Sequence, residues 1–124
     1  MTVRLNCIAI DSTDPRRLGR WWADALGWEA WDESDGYCVA APPDSGQTRL
    51  EFLKVPEPKS GKNRLHLDLT PDDQDAEVAR FEHLGAVRVD VGQEGDPDVT
   101  WVVLADPEGN EFCILRAPGP GEEA

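Results

Sequence analysis

The sequence follows one plan twice, and this repeat limits the fold more than any other feature. In the first half, residues 3–11 carry the apolar alternation of a strand. Asp14-Pro15 predicts a helix start, because aspartate caps the free amides of a first turn and proline suits its first position. Leu26-Gly27 predicts the end of that helix. Three strand-like segments follow, at about 28–32, 36–41 and 47–55.

The second half repeats this order. Residues 64–69 alternate leucine with polar residues, as a strand with one buried face does. Thr70-Pro71 predicts a second helix start, and Leu84-Gly85 predicts its end. Strand-like segments then recur at about 86–91, 99–105 and 110–116. The predicted fold class is therefore α+β, with two tandem βαβββ modules.

The repeat also sets the predicted boundaries within a single domain of residues 1–124. The first module spans about 3–56, the linker 57–62, the second module about 63–116, and a frayed tail 117–124. A helix on one face of each module leaves the other face free to curve around a ligand. A ferredoxin-like sandwich is the alternative architecture, and it would use fewer strands.

Charge and cysteine content restrict the classes of binding partner and the cellular compartment that can be expected. The net charge of −13 argues against nucleic acid or an anionic membrane as a partner. No apolar run is long enough to cross a bilayer, and the first residues lack the pattern of a signal segment. Three cysteines without Cys-x-x-Cys spacing predict free thiols in a reducing cytoplasm. A small organic ligand is the expected partner.

Alignment of the two halves predicts a metal site. The first strands place Cys7 opposite His66, and the last strands place Glu51 opposite Cys113. A pseudo-twofold between the halves would turn these four side chains toward one cavity. All are metal-ligand types, and thiolates beside an imidazole favour zinc. The structural alternative is that the cysteines pack like small apolar residues and that His66 is only hydrogen-bonded.

Catalytic and ligand-binding residues are predicted from strand geometry and residue type. His66 and Asp68 lie two positions apart, hence on one face of a strand, and with Glu51 they form the candidate acid–base group. His83, near a helix end, is predicted to be structural. The candidate ligand-binding residues are one cation and three tryptophans that could stack on a flat or cationic ligand: Arg64, Trp28, Trp31 and Trp101. Solvated charge and core packing are their alternatives.

Four segments, 5–11, 21–28, 62–69 and 106–113, resemble the glyoxalase/bleomycin resistance/extradiol dioxygenase (vicinal oxygen chelate) superfamily. The turn Asp106-Pro107-Glu108-Gly109 before a last strand is the most specific of these similarities. The resemblance implies one curved, mostly antiparallel sheet around a cleft, with helices on the outer face, and a homodimer. It also implies metal ligands on the first and last strands of each module, at Cys7, Glu51, His66 and Cys113.

Two functions follow as expectations. The first is a glyoxalase-like small-molecule-binding protein or lyase/isomerase-type enzyme, with a non-standard ligand set for a divalent metal and no assigned reaction. The second is non-enzymatic sequestration of a small cationic or aromatic compound, as in bleomycin-resistance relatives. The resemblance covers about residues 3–116, so both expectations concern the whole chain.

Overall fold

A computed structural model describes residues 2–44, 48–90 and 95–122. These residues form two helices and eight strands, which fall into two compact units, Met1–Lys59 and Ser60–Ala124. The first unit contains β1 (Cys7–Ser12), α1 (Pro15–Leu26), β2 (Glu29–Ser34), β3 (Tyr37–Ala41) and β4 (Arg49–Lys54). The second contains β5 (Asp68–Leu69), α2 (Gln74–His83), β6 (Val87–Arg88), β7 (Val102–Ala105) and β8 (Glu111–Ile114). The predicted α+β fold with two βαβββ modules is confirmed, and the ferredoxin-like alternative is wrong.

Each unit forms its own four-stranded mixed sheet with the same topology. The strand orders are β1-β4-β3-β2 and β5-β8-β7-β6. In both sheets the first strand pairs parallel with the last, and the other two pairs are antiparallel. Within the described residues, no helix combines the length and apolar character that crossing a membrane requires.

Helix α1 begins and ends where the sequence predicts. The Asp14 side chain accepts the amide hydrogen of Arg17 at 3.2 Å, and Pro15 is the first helical residue. Gly27 ends the helix at φ 70°, where its amide donates to the Ala23 carbonyl. Only glycine adopts this left-handed conformation without steric cost, so a helix stop at this residue is physically well specified.

Helix α2 begins three residues later than the predicted start at Thr70-Pro71. Its cap is Asp73, whose carboxylate accepts the amide hydrogen of Ala76 at 3.1 Å, and its first helical residue is Gln74. Aspartate is a stronger cap than threonine, and Pro71 is buried instead of opening the helix. The end of the helix is as predicted, with Gly85 at φ 111° just beyond it.

The two helices pack on their sheets in different ways. Helix α1 lies on β2, β3 and β4 with Gly19 at the contact, where an added Cβ would lie 2.5 Å from the Cys38 sulfur and 3.2 Å from Phe52. Helix α2 packs on β8 through a large side chain, Phe81, whose ring lies 5.5 Å from that of Phe112. At Gly19, helix α1 therefore lies closer to its sheet than a residue with a Cβ atom would allow.

The first strand of each module begins later in the structure than the sequence predicts. The strand predicted at 3–11 begins at Cys7, and Val3 and Leu5 are 76% and 72% exposed. The strand predicted from residue 64 pairs only from Leu67 onward, whose carbonyl accepts from Cys113, and Leu65 is 87% exposed. Alternation alone does not supply a partner strand for these residues. Predicted strand residues Gln47 and Val91 lie outside the described residues, and the frayed tail stays a prediction.

Candidate metal centre and its cavity

A tight turn sets the start of β8 in the second unit. The buried Asp106 carboxylate accepts the amide hydrogens of Glu108 and Asn110, each at 2.9 Å, and also the Asn110 side-chain amide. Gly109 turns the chain at φ 87°. This hydrogen-bonded turn explains the Asp-Pro-Glu-Gly sequence and fixes the strand that carries Cys113.

Three side chains converge beside the parallel pair β5–β8. Asp68 lies opposite Cys113 in the register of β5 against β8, and His66 lies two residues before Asp68. The His66 Nδ1 atom is 3.0 Å from the Asp68 Oδ1 atom and 3.9 Å from the Cys113 Sγ atom. The three ligand atoms all lie within 4.8 Å of one another. Among the described residues, this is the one group of three or more histidine, cysteine or acidic side chains so arranged.

The geometry fits a metal ion better than a proton relay. A Cys–His–Asp relay needs the acid on one imidazole nitrogen and the thiol on the other. Here both Asp68 and Cys113 approach the same His66 nitrogen, Nδ1. Ligand atoms around a tetrahedral zinc ion lie roughly 3.3–3.6 Å apart, given its usual bond lengths. The separations of 3.0 and 3.9 Å bracket that range.

The Cys113 thiol is not a nucleophile in the metal-free protein. Burial raises its pKa, and the nearby Asp68 carboxylate raises it further, to about 11, although Lys62 acts in the opposite direction. The neutral thiol therefore dominates at physiological pH. A bound cation would reverse this balance, because coordination stabilises the thiolate. The site suits a metal and does not suit unaided thiolate chemistry.

The three candidate ligands open onto a cavity of about 520 Å³ in the second unit. This volume is within the usual range for small-molecule sites. Its charged lining adds one cation and two further acids, Lys62, Asp96 and Glu111. Its apolar lining consists of Val99, Trp101, Val103 and Leu115. The cavity therefore combines a candidate metal centre with an apolar wall.

The first unit holds a different arrangement around Glu51. This carboxylate is 6% exposed and lies on the face of β4 opposite the Phe52 side that α1 covers. It accepts a short hydrogen bond from the Tyr37 hydroxyl at Oε1. Arg49 donates to Oε2 through Nε at 2.8 Å and Nη2 at 2.7 Å. The hydrogen bond from Tyr37 lowers the pKa of Glu51, and Arg49 lowers it further.

The predicted site residues divide between the two units. His66 and Cys113 lie together in the second unit, while Cys7 and Glu51 lie together in the first, where burial and then Glu51 raise the pKa of Cys7. A site shared by all four stays a prediction. Asp68, predicted only as an acid–base residue, lies among the candidate metal ligands.

The predicted ligand-binding residues have different surroundings. Trp101 lines the cavity of the second unit and is 40% exposed. Arg64 is exposed and outside that lining. Trp31 lies on β2, where its indole donates to Glu33 at 2.7 Å, and half-buried Trp28 lies one residue before that strand.

Sequence reasoning missed the partners of Glu51. Arg49 could have been found, because residues two apart on a strand share a face. Tyr37 could not, since its proximity depends on the register of β3 against β4, in which Tyr37 lies opposite Leu53 and Val39 opposite Glu51. Pairing of strands must be known before such a contact can be assigned.

The chain belongs to the glyoxalase-like domain family, whose sequence profile matches residues 7–115. A search of curated protein sequences finds no match. A glyoxalase/bleomycin resistance protein/dioxygenase family enzyme from Burkholderia phytofirmans PsJN has a similar structure, with 20% identity, a TM-score of 0.72, and coverage of 93% of this chain and 99% of that chain. These findings confirm the predicted glyoxalase-like domain of the vicinal oxygen chelate superfamily.

Two further similar structures have different described roles. TnmS3, an antibiotic-binding protein from Streptomyces sp. CB03234, is 21% identical, with a TM-score of 0.66 over 94% of this chain and 98% of that chain. The oxidase ChaP-H2 is 20% identical, with a TM-score of 0.67 over 95% of this chain and 96% of that chain. Identities this low show a shared fold and leave the reaction of this chain unassigned.

Proposed function

We propose that this protein is a metal-dependent small-molecule-binding enzyme of the lyase/isomerase type, with zinc as the favoured ion. His66, Asp68 and Cys113 converge beside a cavity large enough for a small ligand, and this convergence supports the proposal. Nitrogen, oxygen and sulfur ligands together favour zinc over magnesium or calcium. Three protein ligands also match a catalytic zinc site, which keeps a further position for water or substrate.

The residues of the site have separable roles in this proposal. His66, Asp68 and Cys113 would hold the ion, and zinc would supply Lewis-acid polarisation of an oxygen atom on the ligand. The apolar wall around Trp101 would exclude water from the ligand's body. Glu51, predicted as an acid–base residue, stays a candidate for proton transfer, although it would first have to release Arg49 or Tyr37.

Elemental analysis of tag-free protein tests the proposal. After zinc is offered and excess is removed, wild type is expected to retain about one zinc per chain, since the ligand set includes a thiolate and an imidazole, which both bind zinc strongly. His66→Ala and Cys113→Ser are expected to lose it. His83→Ala is the matched control, because His83 is the exposed last residue of α2. Equal zinc in wild type and His66→Ala would contradict the proposal.

A second variant tests the larger, four-residue site predicted from the repeat. If the second-unit group is sufficient, Cys7→Ser retains zinc. If Cys7 is also a ligand, the same variant loses zinc as His66→Ala does. Cys38→Ser does not serve as a control, because Cys38 is fully buried beneath α1 and its replacement would disturb packing.

A second candidate function is metal-independent sequestration of a cationic aromatic compound. It is favoured by the charged lining of the cavity, where Asp68, Asp96 and Glu111 outnumber Lys62 beside Trp101. Fluorescence quenching of metal-free protein by N-methylacridinium tests it. Trp101→Leu is expected to lose most of the quenching, whereas Trp21→Leu, on α1, is expected to retain it.

We also propose a homodimer in the cytoplasm. The dimer is a family expectation, and the exposed apolar side chains Val3, Leu5 and Ile8 of the first unit support it. Light scattering would distinguish a 13.7 kDa monomer from a species of twice that mass. The cytoplasmic location rests on three free cysteines.

A further inference from the structure

Strand pairing fixes two of the three candidate metal ligands but not the third. Asp68 and Cys113 lie opposite each other in the parallel pair of β5 and β8. His66 lies before β5, next to Leu67, whose carbonyl accepts the Cys113 amide hydrogen at 2.9 Å. The position of His66 therefore depends on what holds the chain before Leu67.

The two residues just before His66 are held neither by burial nor by hydrogen bonds of their own. Arg64 and Leu65 are both exposed, and neither makes a hydrogen bond with another described residue. The His66 side chain is itself 43% exposed, so burial does not fix it either. An exposed and unpaired stretch of chain samples many backbone conformations unless its ends are held.

The Glu111 side chain supplies a restraint at the other end of this stretch. Its two carboxylate oxygens accept the backbone amide hydrogen of Asn63 at 3.2 and 3.4 Å, three residues before His66. Glu111 and Cys113 are two residues apart on β8, so their side chains share a face of the strand, and both line the cavity. Strand β8 thus holds the segment at both ends, at Asn63 and at Leu67.

The carboxylate of Glu111 is outside the candidate ligand set. Among the described residues, the group of ligand atoms within 4.8 Å of one another does not include it, although Glu111 lines the same cavity. A hydrogen bond from a backbone amide to a carboxylate is stronger than one between neutral groups. Outer hydrogen bonds of this kind, which orient a ligand without touching the ion, are worth roughly 10–100-fold in metal affinity.

We infer that Glu111 is a positioning residue of the candidate metal centre. Its carboxylate binds the Asn63 amide and thereby holds His66 beside the two ligands that strand pairing already fixes. The inference rests on the proposed metal-dependent function and adds to it a residue that sets metal affinity without binding the metal.

Competition for zinc with a coloured chelator tests the inference in the whole protein. Glu111→Gln keeps an oxygen that can accept the Asn63 amide hydrogen, so its zinc affinity is expected to stay within about threefold of wild type. Glu111→Met keeps the length of the side chain without the acceptor and is expected to bind zinc at least about tenfold more weakly. Asp96→Met is the matched control, because it removes an equal charge from the same cavity lining, but the Asp96 carboxylate bonds to the Asp98 amide within its own loop. This control is expected to bind zinc as wild type does.

A double substitution shows whether Glu111 acts through His66. In a His66→Ala background, Glu111→Met is expected to weaken zinc binding no further, because the ligand that Glu111 positions is already absent. Cobalt in place of zinc gives a second readout, since its visible absorption depends on the ligands and their geometry. Cobalt-loaded Glu111→Met is expected to have the spectrum of His66→Ala, with the thiolate-to-cobalt band of Cys113 retained.

The zinc affinity of wild type separates the two levels of the proposal. Wild type that binds no zinc overturns the metal-dependent function, and the inference with it. If wild type binds zinc, wild-type affinity in Glu111→Met overturns only the inference. Equal weakening in Glu111→Gln and Glu111→Met also overturns it, since the charge of the carboxylate would then be responsible, and so does further weakening in the His66→Ala background. Weakening in Glu111→Met with recovery in Glu111→Gln supports the inference.

Amide hydrogen exchange at Asn63 decides the case in which Glu111→Met does not fold. Protection of this amide in metal-free wild type and in Glu111→Gln supports the inference. Exchange at the rate of an unprotected amide overturns it, because the hydrogen bond that holds the segment would then be absent in solution.

Discussion

The two units place a carboxylate and a cysteine at the same seam, between the first and last strands, and use them differently. In the first unit Glu51 is buried, and Tyr37 and Arg49 satisfy both of its oxygens. In the second unit Asp68 has a side chain 47% exposed and faces a histidine and a neutral thiol. One carboxylate is neutralised by the protein, and the other is available to a cation.

Equivalent positions in a repeated fold therefore need not have equivalent chemistry. A carboxylate bound to arginine contributes to folding, and it must lose those contacts before it can bind a metal. A carboxylate beside an imidazole and a thiol has no fixed positive partner. The protein itself therefore supplies the hydrogen-bond partners of the carboxylate in the first unit, whereas the carboxylate in the second unit is accessible to a ligand.

Replacement of Arg49 by methionine is expected to have the largest effect on stability. It would leave Glu51 buried without its cation, so a loss of about 2 kcal/mol in the free energy of unfolding is expected, below the usual range for buried pairs because Arg49 is partly exposed. His66→Ala in metal-free protein is expected to change the same quantity by less than about 1 kcal/mol, since its pair with Asp68 is half-exposed. Urea denaturation measures both.

The same variant predicts a shift in acid unfolding. The pKa of Glu51 is lowered in the folded protein, so its contribution to stability is present above the ordinary glutamate pKa of 4.5 and is lost as pH falls through the folded-state pKa. Arg49→Met raises that folded-state pKa, and acid unfolding should begin at higher pH. An unchanged acid midpoint would show that Tyr37 alone holds the carboxylate.

A smaller effect is expected where α1 meets its sheet. Gly19→Ala gains helix propensity but places Cβ against Cys38 and Phe52, so a net loss of about 1 kcal/mol is expected. The double variant with Cys38→Ala should show coupling, because it removes the closest atom. Additive effects of the two substitutions would mean that the sulfur simply rotates away.

Thiol labelling gives the smallest effect and compares the two seams directly. Burial raises the pKa of both Cys7 and Cys113, and the neighbouring carboxylate raises each further. Labelling of metal-free protein with iodoacetamide should therefore be slow at pH 8 and rise toward pH 11 for Cys113. Asp68→Asn should lower the Cys113 pKa and speed its labelling a few-fold, and Glu51→Gln should do the same for Cys7. Mass spectrometry of the labelled peptides measures these rates. An unchanged rate in either variant would show that the carboxylate is too distant to raise the pKa of its cysteine.

The fold was predictable from the sequence where local chemistry decides the structure. Asp14-Pro15 and Gly27 fix the ends of α1, because a cap and a left-handed glycine act within a few residues. At Thr70-Pro71 the same reasoning failed, since a stronger cap, Asp73, lay three residues further on. The strand prediction at residues 64–66 was wrong for another reason: their alternation is that of a strand, but a strand also requires a partner.

The candidate site was predictable only in part. The i, i+2 rule places His66 beside Asp68, and the repeat places Cys113 on the last strand. The approach of both groups to one imidazole nitrogen depends on side-chain positions that no spacing encodes. Lys62 lies in a linker whose charge would ordinarily be solvated, and only the cavity distinguishes it from other exposed cations.

The parallel pairing of first and last strands has a consequence for the order of assembly. Cys7 pairs with Arg49, and Asp68 with Cys113, each across more than forty residues, whereas the hairpins β2–β3 and β3–β4 are local. During synthesis, β1 must wait for β4 to emerge, and such long-range closure is slower than hairpin formation. The groups at each seam therefore meet only when their unit closes. A nascent chain lacking β8 would carry His66 and Asp68 without Cys113, and hence without the complete metal centre.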